Sequence, residues 1–214
     1  MDHLRHSMIF SAGQLNVTLI GCGGIGAATA LALAKMGVGI LELWDADVVD
    51  PINLATQLHR LSDTEKFKVD ALRDMLFQFS DDTTVITNPR RVTSEDQLYN
   101  DIIISAVDSI QARKDVWKAV CNGGTGYYID ARMASEELHV YCVSMQDAAW
   151  YDQMLSAEDD ANVVEEPCTS KATIYCAFLS AAIVGKTIKQ IATHEHPPRI
   201  FIQNLRSDAL TVVR

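Results

Sequence analysis

At 214 residues with 48% hydrophobic content, the chain is long enough for one domain with a sizeable core. Its 28 acidic against 18 basic side chains give a formal net charge of -10, which argues against a general binder of nucleic-acid backbones or anionic membrane surfaces. The first ten residues lack the apolar core of a signal peptide, and the longest apolar stretch, 174–184, is about half the ~20 residues a bilayer requires, so a cytoplasmic protein is expected.

Residues 1–14, with His3, Arg5 and His6, hold too little apolar surface to fold alone and read as an N-terminal arm that frays or packs on a neighbour. The domain itself is expected to run from 15 to 214. It opens with β-formers Val17, Leu19 and Ile20, which feed Gly21, Gly23 and Gly26 in the spacing G-x-G-x-x-G. An Ala-rich helix is predicted over 25–36, stopped by Gly37 and Gly39, and a second apolar run over 40–44 ends at Asp45. In such a β-α-β unit the first glycine permits a tight turn, the second lets backbone approach a phosphate, and the third lets helix pack closely on strand. The helix N-terminus offers free N–H groups and the positive end of its dipole to the phosphates. Asp45 lies where an acid hydrogen-bonds a ribose hydroxyl. The unit predicts nucleotide binding and leaves NAD and ATP open.

Pro51 then breaks regular structure, and 52–59 reads as a short helix or turn. Phe67, Ala71, Leu72, Met75 and Leu76 recur at helical spacing, predicting an amphipathic helix over 64–79 with Lys66 and Lys68 near its start. A short strand is expected over 83–87. The run DIIISAV, 101–107, is that of a central strand covered on both faces, and it ends at Asp108. A helix over 109–121 closes at Asn122, Gly123 and Gly124, and strands follow over 127–131 and 138–143. Residues 144–169 read as loop, with solvated or mobile charge runs at Glu158, Asp159 and Asp160 and at Glu165 and Glu166. An apolar helix over 170–191 precedes two strands joined by a turn at Arg206, Ser207 and Asp208. The fold class is α/β: a Rossmann-like, doubly wound, mostly parallel sheet with a C-terminal antiparallel extension.

The five cysteines, Cys22, Cys121, Cys142, Cys168 and Cys176, contain no C-x-x-C pair, so neither a disulfide framework nor a structural zinc is expected. His194 and His196, in THEHPP, have no third ligand nearby and read as an exposed turn.

The residues after Asp45 narrow the choice of nucleotide. They follow D-x-D-x-V-x-x-x-N-L-x-x-Q, and with GCGGIG, GVGILELWD, Lys68 and the strand-end Asp108 the chain resembles the ThiF/MoeB/HesA family, adenylyltransferases related to ubiquitin-activating enzymes. The resemblance implies Mg-ATP and activation of a C-terminal carboxylate as an acyl-adenylate, with release of pyrophosphate. The partner implied is a small ubiquitin-like or sulfur-carrier protein, or a peptide, and the enzyme a homodimer. Carried over by position, Gly21, Gly23, Gly24 and Gly26 line the nucleotide loop, and Asp45, with Asp47 beside it, holds the ribose side. Asn53 and Gln57 contact nucleotide and phosphates, Lys68 the phosphates, and Asp108 the Mg2+. Arg113 occupies a frequent family arginine position on the following helix, and the resemblance implies that it is catalytic together with Lys68 and Asp108.

Thr56 stands where the family often has a phosphate-binding arginine, so His59, Arg60 or Arg5 is expected to supply the missing cation. Cys168, in EEPCTSK, is a candidate nucleophile: a helix N-terminus and Lys171 favour its thiolate, whereas Glu165 and Glu166 oppose it. Two alternatives stand beside the adenylyltransferase. One is an NAD(P)-dependent oxidoreductase; the other is a non-catalytic, nucleotide-binding scaffold subunit.

Overall fold

The structure, a computed structural model, describes residues 6–159 and 173–214. Its centre is β1 (Asn16–Ile20), four of whose five residues are fully buried. From there the chain turns through the glycines into α1 (Gly24–Met36), which ends on Gly37 at φ +75, whose N–H bonds back to the carbonyls of Leu33 and Ala34. A left-handed residue here satisfies carbonyls that the helix end would otherwise orphan. β2 (Ile40–Trp44) returns parallel to β1, and α2 (Lys68–Leu76) leads to β3 (Thr84–Asn88), parallel to β2.

The chain then crosses back to the other side of β1. There β4 (Ile102–Ser105) pairs parallel with β1, and α3 (Ile110–Asn122) leads to β5 (Tyr127–Ala134), parallel to β4. β6 (Glu137–Ser144), β7 (Ile200–Asn204) and β8 (Ala209–Val213) complete the sheet as antiparallel neighbours. The order is β3-β2-β1-β4-β5-β6-β7-β8. Its direction reverses between β1 and β4, and in open α/β sheets ligands bind in the crevice beyond the strand ends at such a reversal.

Two departures from the sequence reading have physical causes. α2 begins at Lys68, not near 64, because residues 61–63 form a 3-10 turn in which Asp63 bonds back to Arg60, and Glu65 takes φ +69. Turn chemistry there overrides the apolar period. The stretch expected as loop contains α4 (Ala148–Ser156), anchored by Tyr151 and Leu155, four apart and both buried. Glu158, expected to be solvated, pairs with Arg132 at 2.7 Å.

α1, α2 and α5 (Ile174–Ala192) cover one face of the sheet over an aliphatic core that includes Leu19, Leu33, Leu41, Leu43, Ile104 and Val184. Phe10 and Ala12, from the expected arm, pack into the same core. α5 is long and apolar enough to cross a membrane by length and composition, yet half of it is buried, against α1, β5 and β6. α3 and α4 lie on the other face over a more aromatic cluster, with Trp117, Tyr128 and Tyr151 in mutual ring contact at 4.8–5.3 Å. β8 is an edge strand, all five residues exposed.

Candidate active site

The glycine turn is fixed by steric contact. Gly21 has φ +92, and a Cβ there would lie 2.6 Å from the Ala106 carbonyl oxygen, so the turn presses directly against the end of β4. A Cβ on Gly26 would lie 1.8 Å from the Gly21 oxygen, closer than any side chain can approach. Gly23 differs: its nearest neighbour would be Gln57 Nε2 at 3.7 Å, ordinary contact with room beside it. Gly23 caps α1 without a side-chain bond, and no acidic residue sits in the first turn. The first α1 amide with a helical acceptor is that of Ala27, to the Gly23 oxygen. The N–H groups before it are left for an anion.

Asp45, at the end of β2, braces this turn. Its Oδ2 accepts from the Cys22 N–H at 2.7 Å and its Oδ1 from the Asp47 N–H at 2.8 Å. The following segment folds over the glycines: the Thr56 carbonyl oxygen lies 2.8 Å from where a Gly24 Cβ would be, and Gln57 faces Gly23. Asn53 ends a one-turn 3-10 helix begun by Pro51, and its carbonyl accepts from the Thr56 N–H at 3.1 Å. Lys68, the first residue of α2, is buried, and its Nζ donates to Asp47 Oδ2 at 2.8 Å. The structure thus brings together Gly21, Gly23, Gly24, Gly26, Asp45 and Gln57, and beside them pairs Lys68 with Asp47.

Asp108 is exposed at the end of β4, two residues past the Ala106 carbonyl that meets Gly21. An exposed carboxylate beside a phosphate-facing turn fits Mg2+, which takes one or two carboxylates plus phosphate oxygens and keeps several waters. Among the described residues no group of three or more His, Cys, Asp or Glu could hold a metal ion, and His194 and His196 are exposed, with His194 at φ +57.

Arg113 sits behind the Asp108 loop. It is 4% exposed, and its guanidinium donates to Asp130 Oδ1 at 2.7 Å and to the Val107 carbonyl at 2.7 Å. Asp130, fully buried, also accepts from Arg132 Nε and from the Tyr151 hydroxyl, each at 2.6 Å, and Arg132 continues to the Glu158 carboxylate at 2.7 and 2.8 Å. This Asp130-centred network was missed in the sequence. Its signal was two charges, Asp130 and Arg132, at alternate positions of a strand, which puts both on one face.

The cations expected to replace the missing arginine do other work. His59 is buried, which lowers its pKa and keeps it neutral, and its Nε2 lies 2.9 Å from the Cys22 carbonyl oxygen. Arg60 forms a two-pronged pair with Asp63 at 2.8 and 3.0 Å. Arg5 and Cys168, with its neighbours Glu165, Glu166 and Lys171, lie outside the described residues. Cys22 is fully buried, and that burial raises its thiol well above the usual range, so it is a packing residue.

A parallel β-α-β unit, an anion-ready glycine turn and an acid at the second strand end define a nucleotide-binding α/β protein. Comparison with known proteins is more specific: the profile of the ThiF family matches residues 10–212, and the chain belongs to that family. The adenylyltransferase and sulfurtransferase MOCS3 of Culex quinquefasciatus is 35% identical over 105 residues, 47% of this chain and 24% of the relative, so this chain matches a minor part of that protein. The tRNA threonylcarbamoyladenosine dehydratase of Escherichia coli is 25% identical over 204 residues, 86% of this chain and 75% of the relative. Among solved structures, E. coli MccB with ATP aligns at a TM-score of 0.70 and 18% identity, over 94% of this chain and 64% of MccB, a likeness of fold. None of these likenesses favours the oxidoreductase.

Proposed function

We propose that the protein is an ATP-dependent adenylyltransferase that activates the C-terminal carboxylate of a small ubiquitin-like or sulfur-carrier protein, or of a peptide, as an acyl-adenylate. The observation that carries this reading is the contact of Gly21 with Ala106, which sets the uncapped start of α1 beside the exposed Asp108 at the sheet's reversal point. Adenylyltransferases among the relatives and a fold shared with an ATP-bound structure support it.

In the reaction a carboxylate oxygen forms a bond to the α-phosphorus while the bond from that phosphorus to the bridging oxygen of pyrophosphate breaks. Both reactants are anions, so catalysis is largely positioning and charge neutralisation. The α1 amides bind phosphate oxygens, Asp45 orients the ribose, and Asn53 and Gln57 close over the nucleotide. Lys68 exchanges Asp47 for a phosphate. Asp108 would hold Mg2+, which supplies positive charge to the phosphates when bound. Arg113 acts at one remove, by holding the Val107 carbonyl next to Asp108. The reading includes a cytoplasmic homodimer, the latter checked by light scattering.

The test is exchange of labelled pyrophosphate into ATP. Exchange that requires both Mg2+ and an added carboxylate partner supports the proposal. Nucleotide binding without exchange, across a panel of ubiquitin-like proteins and peptides, leaves the scaffold subunit instead. A second reading comes from the dehydratase, which matches most of its own length to this chain: the carboxylate is borne by a tRNA nucleoside. The net charge of -10 weighs against it.

A further inference from the structure

His59 stands three residues after the threonine that replaces the family arginine, and its chemistry differs from that of a cation. Its Nε2 lies 2.9 Å from the carbonyl oxygen of Cys22. A carbonyl only accepts, so the ring proton sits on Nε2 and the ring donates. Nδ1 is buried and has no partner among the described residues, as suits a bare lone pair. Burial, the largest influence, opposes a second proton and with Lys68 outweighs the Cys22 carbonyl, Asp45 and Asp63, which favour one. The ring is therefore locked as one neutral tautomer with its N–H on Cys22.

The carbonyl of Cys22 and the N–H of Gly23 belong to one planar trans peptide and point in opposite directions. A donor that holds the carbonyl inward turns the Gly23 N–H outward. The preceding peptide is fixed too, because the Cys22 N–H is held by Asp45 at 2.7 Å. Cys22 is thus pinned on both sides, whereas the Gly23 N–H has no acceptor among the described residues. Donation to the carbonyl also polarises the peptide and strengthens the N–H at its other end.

We infer that His59 is a positioning residue of the nucleotide loop, which aims the Gly23 N–H at a nucleotide phosphate by holding the Cys22 carbonyl. The inference rests on the nucleotide-binding reading above and adds a residue to it. His59 replaces nothing electrostatically; it organises a neutral donor where the family often uses a charge.

The test compares ATP with adenosine, which keeps base and ribose and lacks phosphates, by calorimetric titration of wild type, His59→Phe and His59→Gln. Phenylalanine keeps the ring and removes the donor; glutamine restores an N–H at about the reach of Nε2. Phenylalanine should weaken ATP roughly ten- to a hundredfold, the range of one hydrogen bond to a charged group. It should leave adenosine within about twofold, and glutamine should recover most of the ATP affinity. A merely structural histidine would weaken both ligands together, or neither, and either result overturns the inference. If the Phe protein does not fold, His59→Met, flexible and without a donor, takes its place. Wild type that binds neither ligand removes the nucleotide reading itself. Wild type that binds ATP, with an unaffected Phe variant, removes the role of His59 alone.

Discussion

The two faces of the sheet hold their functional loops by different means. On the α1 face, Gly26 touches Gly21 and aliphatic side chains pack behind them, so the phosphate loop is held by close steric fit over an apolar core. On the α3–α4 face, the loop that carries Asp108 is held by buried charge: Arg113 grips the Val107 carbonyl, and Asp130 grips Arg113, Arg132 and Tyr151 together. Steric fit is intolerant of added volume and indifferent to charge. An ion network is the reverse, because removing one member leaves its partners buried and uncompensated.

Four substitutions separate these two modes. Gly26→Ala should have the largest effect, since its Cβ would meet the Gly21 oxygen at 1.8 Å. Ordinary overpacking costs about 1–3 kcal/mol, but this clash is with backbone and no rotamer relieves it, so the variant should fail to fold and nucleotide binding should be lost with it. Gly23→Ala, with 3.7 Å to its nearest neighbour, should melt near the wild type and lose affinity for ATP alone; equal melting of both variants would dismantle the steric account. Asp130→Asn should come next, lowering stability in urea titration by about 3–5 kcal/mol, the usual cost of breaking a buried pair. Leu33→Ala, on the apolar face, should cost a similar ~2–5 kcal/mol. The two differ in function: after correction for stability, Asp130→Asn should blunt the Mg2+ dependence of ATP binding and Leu33→Ala should not.

Asp108→Ala should barely move the melting temperature of the free protein, as an exposed site within about 0.5 kcal/mol. It should abolish the additional stabilisation that Mg2+ gives to ATP, read by thermal shift. An unchanged magnesium effect would take Asp108 out of the site.

A pH-dependent effect lies outside both faces. The Arg60 side chain, assisted by the Arg60 N–H and Lys66, outweighs burial and lowers Asp63 from 3.8 to about 2. Its folded pKa is below its unfolded value, so its stabilisation is present above about pH 4 and fades as the pH falls toward 2. The melting temperatures of wild type and Asp63→Asn should therefore differ at pH 5 and converge near pH 2. A constant gap across that range would show that the pair does not contribute through ionisation.

The α1 face was legible in the sequence because its information is local. G-x-G-x-x-G, the Ala-rich period and the acid after the second strand lie within residues 21–45, and each states a backbone requirement directly. Strand 40–44 appears with the boundaries expected of it. The polar face was not legible, because its meaning resides in pairings between elements. Nothing near Arg113 announces that its partner is Asp130 on the next strand. α4 was hidden for a related reason: it is nine residues long, Ala148, Trp150 and Met154 blur the repeat of Tyr151 and Leu155, and burial became visible only when α3 lay beside it. His59 was noticed for its possible charge. Its burial, which removes that charge, could be known only from the fold.

The sheet order also sets a timetable for synthesis. β1 pairs first with β2, close behind it, but its other edge waits for β4, and the Asn16 N–H finds the Asp101 carboxylate 85 residues later. At elongation rates of about 5–20 residues per second the ribosome needs roughly 4–17 seconds to cover that distance. Throughout that interval a nascent chain carries an interior strand of its sheet with one edge of N–H and C=O groups unpaired, and a chaperone or a neighbouring polysome product can meet it before β4 does.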